Sequence, residues 1–204
     1  MNRITVSGQA ITPGKIVCIG RNYVAHIEEL GNEVPDNMVV FLKPNSAIGQ
    51  ELSASFGGDI HYEGELCFIV DNERLTAVGF GLDLTLRDLQ NQLKAKGLPW
   101  ERAKAFNGAA LFSDFVPLPE AGIASLSLEL HVNGKLRQQG KPSLMIYSPQ
   151  VIAEQISQFM QLEDGDILMT GTPAGVGPVQ RGDTFHGRIL SHQQVLTEAT
   201  WRVK

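Results

Sequence analysis

The chain has 204 residues, 43% of them hydrophobic and 19% charged, with a formal net charge of −5. That composition is too apolar for a disordered chain and can furnish an ordinary buried core. The mild acidity offers no basic face to a phosphate backbone and no apolar stretch approaches the roughly 20 residues that cross a bilayer, so neither nucleic acid nor membrane is expected as a partner.

The opening residues, MNRITVSGQAITPGKIVCIG, lack the basic head, long apolar stretch and small-residue cleavage site of a secretory signal. Cys18 and Cys67 lie within apolar runs and read as buried thiols, so a cytoplasmic location is expected. KIVCIG (15–20) and VVFLKP (39–44) are short apolar runs bounded by turn formers, the pattern of strands. Between them, Asn22 to Leu30 is a short helix candidate stopped by Gly31-Asn32. HYEGELCFIV (61–70) reads as one strand, polar at its start and apolar at its end. Alternate strand residues share a face, so Glu63 and Glu65 are expected to point the same way with His61 beside them. Asp83 follows in GFGLDLTLRD, just before a helix from Thr85 to Lys96 with Leu86, Leu89 and Leu93 at helical spacing. LSLELHV (126–132) alternates strictly, and Asn133-Gly134 predicts a hairpin into KLRQQG. Ser148-Pro149 opens a further helix with Ile152, Ile156, Phe159 and Met160 on one face. DILMTG (166–171) closes the series of strands and runs into GTPAGVG (171–177). Strands dominate and the βα alternation of a doubly wound sheet is missing, which predicts a mainly β, α+β fold.

Three groups of residues have chemistry to offer. Neighbouring carboxylates repel unless a cation or a proton sits between them, and a hard divalent cation such as Mg²⁺ or Mn²⁺ takes oxygen ligands. Glu63 and Glu65 supply two, and Asp83 a third, although an isolated E-x-E is ordinarily a solvated strand face. His26 and Glu29 are three apart, so on a helix they share a face and could form a carboxylate-oriented imidazole. Taken alone, that spacing is ordinarily surface decoration. The glycines of GTPAGVG let backbone N–H groups converge on an anion, but the Lys-Ser/Thr ending of a Walker loop is missing. Lys104 and Arg87 read on their own as surface or structural cations.

These motifs in this order, from KIVCIGRNYVAHIEE through HYEGE, LDLTLRDLQ and KGLPWERAKAF to GDILMTGTPAGVGPV, resemble the fumarylacetoacetate hydrolase family. The likeness covers nearly the whole chain and is closest to small members acting as acylpyruvate hydrolases and oxaloacetate decarboxylases or tautomerases. It implies a β-sandwich or roll with peripheral helices, formed by 1–204 as one catalytic domain, with 21–36 as a short lid. It implies Mg²⁺, with Mn²⁺ an alternative, on Glu63, Glu65 and Asp83. It also implies His26 and Glu29 as the water-activating pair on the lid and Lys104 as the substrate's cationic anchor. Arg21, Tyr23, Arg87 and Thr172 are implied in substrate binding, with Arg87 equally suited to holding a ligand carboxylate. The substrate implied is a small 2-oxo carboxylate, hydrolysed, decarboxylated or tautomerised through one enolate, and the assembly a homodimer. An isomerase or decarboxylase of longer dienoic diacids, or a metal- or carboxylate-binding module without activity, would suit the same residues. One departure stands out. Only 18 positions separate Glu65 from Asp83, fewer than the resemblance implies, and the strand AVGFGLDL is expected to survive the loss of a helix or loop before it.

Overall fold

The structure is a computed structural model that describes residues 1–31 and 33–204. Sixteen strands and four α-helices are defined among these residues. A small hairpin, β1 (Ile4–Val6) and β2 (Gln9–Ile11), precedes the central strand β3 (Lys15–Gly20). Helix α1 (Val24–Glu29) and strand β4 (Val39–Pro44) follow. Next come β5 (Ile60–Tyr62), β6 (Gly64–Asp71), β7 (Arg74–Asp83) and β8 (Thr85–Leu86), then helices α2 (Arg87–Ala95) and α3 (Glu101–Lys104). Short strands β9 (Ala110–Phe112) and β10 (Val116–Pro117) lead to the hairpin β11 (Leu126–Val132) and β12 (Lys135–Gly140). Helix α4 (Pro149–Ser157), β13 (Ile167–Met169), β14 (Gly177–Pro178), β15 (Thr184–Ser191) and β16 (Gln194–Arg202) complete the chain. The fold is mainly β, as the sequence predicts.

The central sheet runs β10-β7-β6-β13-β3-β4 with β9 added beside β7, and a four-stranded sheet runs β12-β11-β15-β16. Its strands β3, β6, β7 and β13 are covered on both faces, which is why their sequences are near-continuous apolar runs rather than alternating ones. Leu66, Phe68 and Val70 of β6, with Val78, Phe80 and Leu82 of β7, belong to the larger core shared with the four-stranded sheet. Their neighbours Cys67, Ile69 and Ala77 face a second core with Ile16, Cys18 and Met169. The four-stranded sheet has one dry face, and β11 alternates accordingly: Leu126, Leu128, Leu130 and Val132 are buried. Asn133 and Gly134 both take positive φ, 52° and 74°, in the predicted hairpin turn. The two sheets come closest where the Phe80 ring lies over Gly187, whose added Cβ would sit 2.2 Å from that ring.

Four expectations need correction. HYEGELCFIV is two strands in two sheets: β5 pairs with β8 and β14, whereas β6 pairs with β7 and β13. The chain turns at Glu63-Gly64, where the Gly64 amide donates to Gln138 Oε1 (2.8 Å), so Glu63 sits at a corner rather than on a strand face. The helix expected from Thr85 starts at Arg87, since Thr85 and Leu86 pair with His61 and Ile60. Phe159 lies beyond the end of α4 and is 65% exposed, leaving Ile152 and Ile156 as the buried face. DILMTG is a strand only over Ile167–Met169. The AVGFGLDL strand is present as the end of β7 up to Asp83, and β6 passes into β7 through a tight turn with Asn72 and Glu73 at φ 49° and 59°. Gly31 takes the left-handed φ of a C-cap, 61°, while Asn32 lies outside the described residues.

Candidate active site

The carboxyl ends of β3, β7 and β13 and the start of β6 meet at one end of the central sheet. Pairing of β6 with β7 continues past Gly64 through the Asp83 amide, which donates to the Glu63 carbonyl (2.8 Å). That register brings Glu63, Glu65 and Asp83 together, each offering an oxygen within 4.8 Å of the others, all three buried.

Three carboxylates in one dry cluster need compensating charge, and the chain supplies part of it. Lys104 on α3 is 2% exposed, and its ammonium donates to Glu63 Oε2 (2.8 Å), Asp83 Oδ2 (2.8 Å) and Thr85 Oγ1 (2.6 Å). Those three bonds use every proton it carries. Burial alone would lower its pKa, but Asp83 and Glu63 outweigh burial and raise it, so Lys104 is a fixed cation. Arg87, the first residue of α2, donates to Glu63 Oε1 and to Gln90 Oε1 (2.8 Å). Burial disfavours the charged form of Glu63, yet Lys104, Arg87 and His26 together hold it well below the usual carboxylate range.

Lys43 on β4 is a site residue that sequence reasoning missed. It is fully buried, and its protons go to the carbonyls of Leu84 (3.3 Å), Ala109 (3.0 Å) and Lys104. Its nitrogen also lies 2.8 Å from Asp83 Oδ1, off the direction that a hydrogen bond requires. Asp83 Oδ1 therefore gains Coulomb attraction while keeping its lone pairs unspent. Glu65 is less well served. Its Oε2 accepts the Gly171 amide (2.7 Å), but burial and then the charges of Asp83 and Glu63 push its pKa well above the usual range. A buried oxygen with unspent lone pairs, a carboxylate short of positive charge and an all-oxygen donor set fit a hard divalent cation.

Above the carboxylates, Arg21 leaves β3 at φ 56° and Asn22 fixes the next turn, its Nδ2 donating to the carbonyls of Thr170 (2.8 Å) and Tyr147 (2.9 Å). Helix α1 then places His26 in the cavity wall with Nδ1 3.2 Å from Glu29 Oε2. The Gly175 amide donates to Glu29 Oε1 (2.9 Å) and Oε2 (3.1 Å), tying the pair to the GTPAGVG turn. Gly175 has φ 102°, and a Cβ there would lie 2.0 Å from the Arg137 carbonyl oxygen, so the turn needs glycine. Thr172 also borders the cavity, with its hydroxyl donating to the Gly64 carbonyl (2.9 Å) and accepting from Gln138 Nε2 (2.7 Å). Tyr23 is buried beside Gly140 rather than in the cavity wall. The structure thus brings Glu63, Glu65, Asp83, His26, Arg21, Arg87, Lys104 and Thr172 around one space, with Glu29 behind His26 and Tyr23 apart. Lys43 carried no local signal beyond a lysine ending an apolar strand. Its partners come from β8, α3 and β9 regions distant in sequence.

An acidic triad that could hold a divalent metal, set in a mainly β fold beside a histidine–glutamate pair, is the arrangement of a candidate enzyme site. Residues 15–200 match the family described as fumarylacetoacetate (FAA) hydrolase C-terminal, and the chain belongs to that family and is an enzyme of it. It is 40% identical over 198 residues to the oxaloacetate tautomerase YcgM of Escherichia coli, with 87% of this chain and 90% of that protein covered. It is 41% identical over 193 residues to the human mitochondrial oxaloacetate tautomerase FAHD1, covering 85% and 86%. Among solved structures, fumarylpyruvate hydrolase from Pseudomonas aeruginosa in complex with Mn²⁺ and pyruvate superposes with a TM-score of 0.88 at 31% identity, covering 99% of this chain and 95% of that one. No helix among the described residues is long and apolar enough to cross a membrane.

Proposed function

We propose that the enzyme acts on 2-oxo carboxylates with an enolisable carbon next to the ketone, tautomerising oxaloacetate and hydrolysing acylpyruvates. The observation that carries this reading is the buried Glu63–Glu65–Asp83 cluster facing a His26–Glu29 pair across one small cavity. The names of the relatives, oxaloacetate tautomerase and fumarylpyruvate hydrolase, support the same substrate class.

Glu63, Glu65 and Asp83 would hold Mg²⁺ or Mn²⁺, which supplies Lewis acidity toward the carboxylate and ketone oxygens of the substrate. The remaining chemistry is proton transfer. With Nδ1–H donated to Glu29, His26 carries its lone pair on Nε2, and the carboxylate fixes the ring so that this nitrogen is the one that takes a proton. In tautomerisation His26 takes a proton from C3 of oxaloacetate, and a proton returns to the enolate oxygen. In hydrolysis it takes the proton of the water that attacks the distal carbonyl, and the cleaved carbon is protonated as pyruvate leaves. Lys104 and Arg87 keep Glu63 ionised, and Lys104 holds Glu63 and Asp83 in place, which is why a lysine with every proton committed still matters to the reaction. Residues 21–36 act as the lid, docked through Glu29 on Gly175. The whole of 1–204 works as one catalytic domain.

The test is a panel of oxaloacetate and acetylpyruvate with Mg²⁺ present and after chelation. Enol oxaloacetate is followed by its ultraviolet absorbance and acetylpyruvate by its disappearance. Turnover of either that is lost with chelator and restored by Mg²⁺ supports the reading. A protein that leaves both untouched in saturating Mg²⁺ is not this enzyme.

A further inference from the structure

Gln138 is a buried polar side chain that core packing does not call for. Along β12 only Gln138 and Gly140 are buried, and Gln138 pairs with Leu130 of β11, whose buried residues are all apolar. It is 1% exposed, and burying an amide costs free energy unless its hydrogen bonds are met. The Gly64 amide donates to its Oε1 (2.8 Å), and its Nε2 donates to Thr172 Oγ1 (2.7 Å) and to the Pro173 carbonyl (2.8 Å). One side chain thus ties the corner between Glu63 and Glu65 to the turn that borders the cavity.

These partners fix which way the amide points. A backbone N–H only donates and a carbonyl only accepts, so Oε1 faces Gly64 and Nε2 faces Pro173 and Thr172. Thr172 Oγ1 therefore receives a hydrogen from Gln138. Its own hydrogen goes to the Gly64 carbonyl (2.9 Å), since the Pro173 carbonyl is farther, at 3.4 Å, and already accepts from Gln138. The Gly64 carbonyl points away from β7, because Glu63 and Asp83 form the hydrogen-bonded pair beside it. Turning the hydroxyl hydrogen into the cavity would leave a lone pair facing that carbonyl, and a buried carbonyl stripped of its donor is costly. What Thr172 offers the cavity is a lone pair.

We propose that Gln138 is a positioning residue that locks the Thr172 hydroxyl as a hydrogen-bond acceptor, so that Thr172 holds the enol hydroxyl on C2 of the substrate and repels a bare carboxylate oxygen. This rests on the functional reading above and adds a residue that acts through Thr172 and the polarity it imposes there. Thr172 borders the cavity beside the acidic cluster. It follows Gly171, whose amide is bonded to Glu65, and its hydroxyl is anchored on the carbonyl between Glu63 and Glu65. Of the substrate oxygens drawn to that place, the carboxylate brings only lone pairs at neutral pH. The C2 oxygen brings a hydrogen in the enol tautomer, and that hydrogen is what Thr172 can accept.

Calorimetric titration of the Mn²⁺-loaded protein with pyruvate and with each enantiomer of lactate tests this without needing turnover. The ligands share charge and carbon skeleton, and lactate carries a hydroxyl where pyruvate carries a ketone. Thr172→Val keeps the shape and removes the accepting oxygen. The ratio of lactate to pyruvate affinity, taken for the better-bound enantiomer, should then fall by roughly 2–10-fold, the range for one uncharged hydrogen bond. Thr172→Ser should keep the ratio. Gln138→Met fills similar volume but frees the hydroxyl to turn, so it should lower the ratio in the same direction. Equal losses for both ligands in Thr172→Val, or a ratio that rises, overturn the acceptor role, and an unchanged ratio in Gln138→Met overturns the lock. Slowed acetylpyruvate hydrolysis in Thr172→Val with the ratio unchanged would give the lone pair to the attacking water and overturn the enol contact. The expected shift in a protein that turns over no 2-oxo acid would instead overturn the enzymatic reading and leave the acceptor role standing. A protein that holds Mn²⁺ but binds neither ligand removes both.

Discussion

The three acidic residues sit at one point in space but not in one environment. Glu63 is flanked by two cations and Asp83 by two lysines, whereas Glu65 has a single backbone amide and two carboxylate neighbours. Glu65 is therefore the residue whose charge most depends on a bound cation. Glu65→Gln keeps the shape and removes the charge, so divalent-metal affinity should drop by more than the ~10–100-fold that follows loss of a ligand's supporting partner. Activity should largely vanish, and Mn²⁺ titration by electron paramagnetic resonance reads the affinity directly. Full activity of this variant in chelator-treated buffer would take the metal out of the mechanism. His26 separates the reactions in a different way. Acylpyruvate hydrolysis needs activated water, whereas oxaloacetate decarboxylation mainly needs the enolate held. At saturating Mg²⁺, His26→Ala should slow hydrolysis by the ~10²–10⁴-fold typical of a lost general base, and decarboxylation by less. An equal loss in both would reassign His26 to lid closure or proton delivery. The carboxylates and the His26–Glu29 pair were legible in sequence because their spacing is local and their order along the chain is distinctive. Lys43 was not, because a lysine's meaning depends on what folds around it. Lys43 reaches the Ala109 carbonyl across 66 positions, and Glu65 meets Gly171 across 106.

At the scale of elements, patterns with one dry face were read closely and corners were not. The strict alternation of Leu126–Val132 matches its buried and half-buried residues position by position. The turn at Glu63-Gly64 had no such signal, because it is fixed by Gln138 from β12, 74 positions away. β15 and β16 escaped notice because their apolar residues are interrupted by polar ones that face outward. They nonetheless complete the larger core, and their closeness to the central sheet depends on a missing side chain. Gly187 leaves the space that the Phe80 ring fills. Gly187→Ala would place a methyl inside that contact with no open side to move into. Overpacking of this kind costs about 1–3 kcal/mol. For a chain of this size each kcal/mol lowers Tm by roughly 2–4 °C. Calorimetry should show the drop. An unchanged Tm would mean that the sheets are looser there than the Phe80–Gly187 approach indicates.

The whole molecule gains from the site as well as serving it. Glu63, Glu65 and Asp83 come from a corner and two paired strands, and Lys104, Arg87 and Lys43 come from three further elements. This arrangement exists only when the chain is folded, so a divalent cation that binds it binds the native state and not the unfolded one. Mass action then stabilises the fold by about 2.7 kcal/mol when free metal is 100 times its Kd. At roughly 2–4 °C for each kcal/mol, Tm should rise by about 5–11 °C on adding Mn²⁺ or Mg²⁺ to that level. Excess chelator should reverse the rise. Glu65→Gln gives the control that matters, because weak binding of divalent ions to a chain of net charge −5 would shift wild type and variant alike. The shift is expected in the wild type and should be absent from Glu65→Gln at the same metal concentration. Equal shifts in the two proteins would place the stabilising ions on the general acidic surface instead of in the carboxylate cluster.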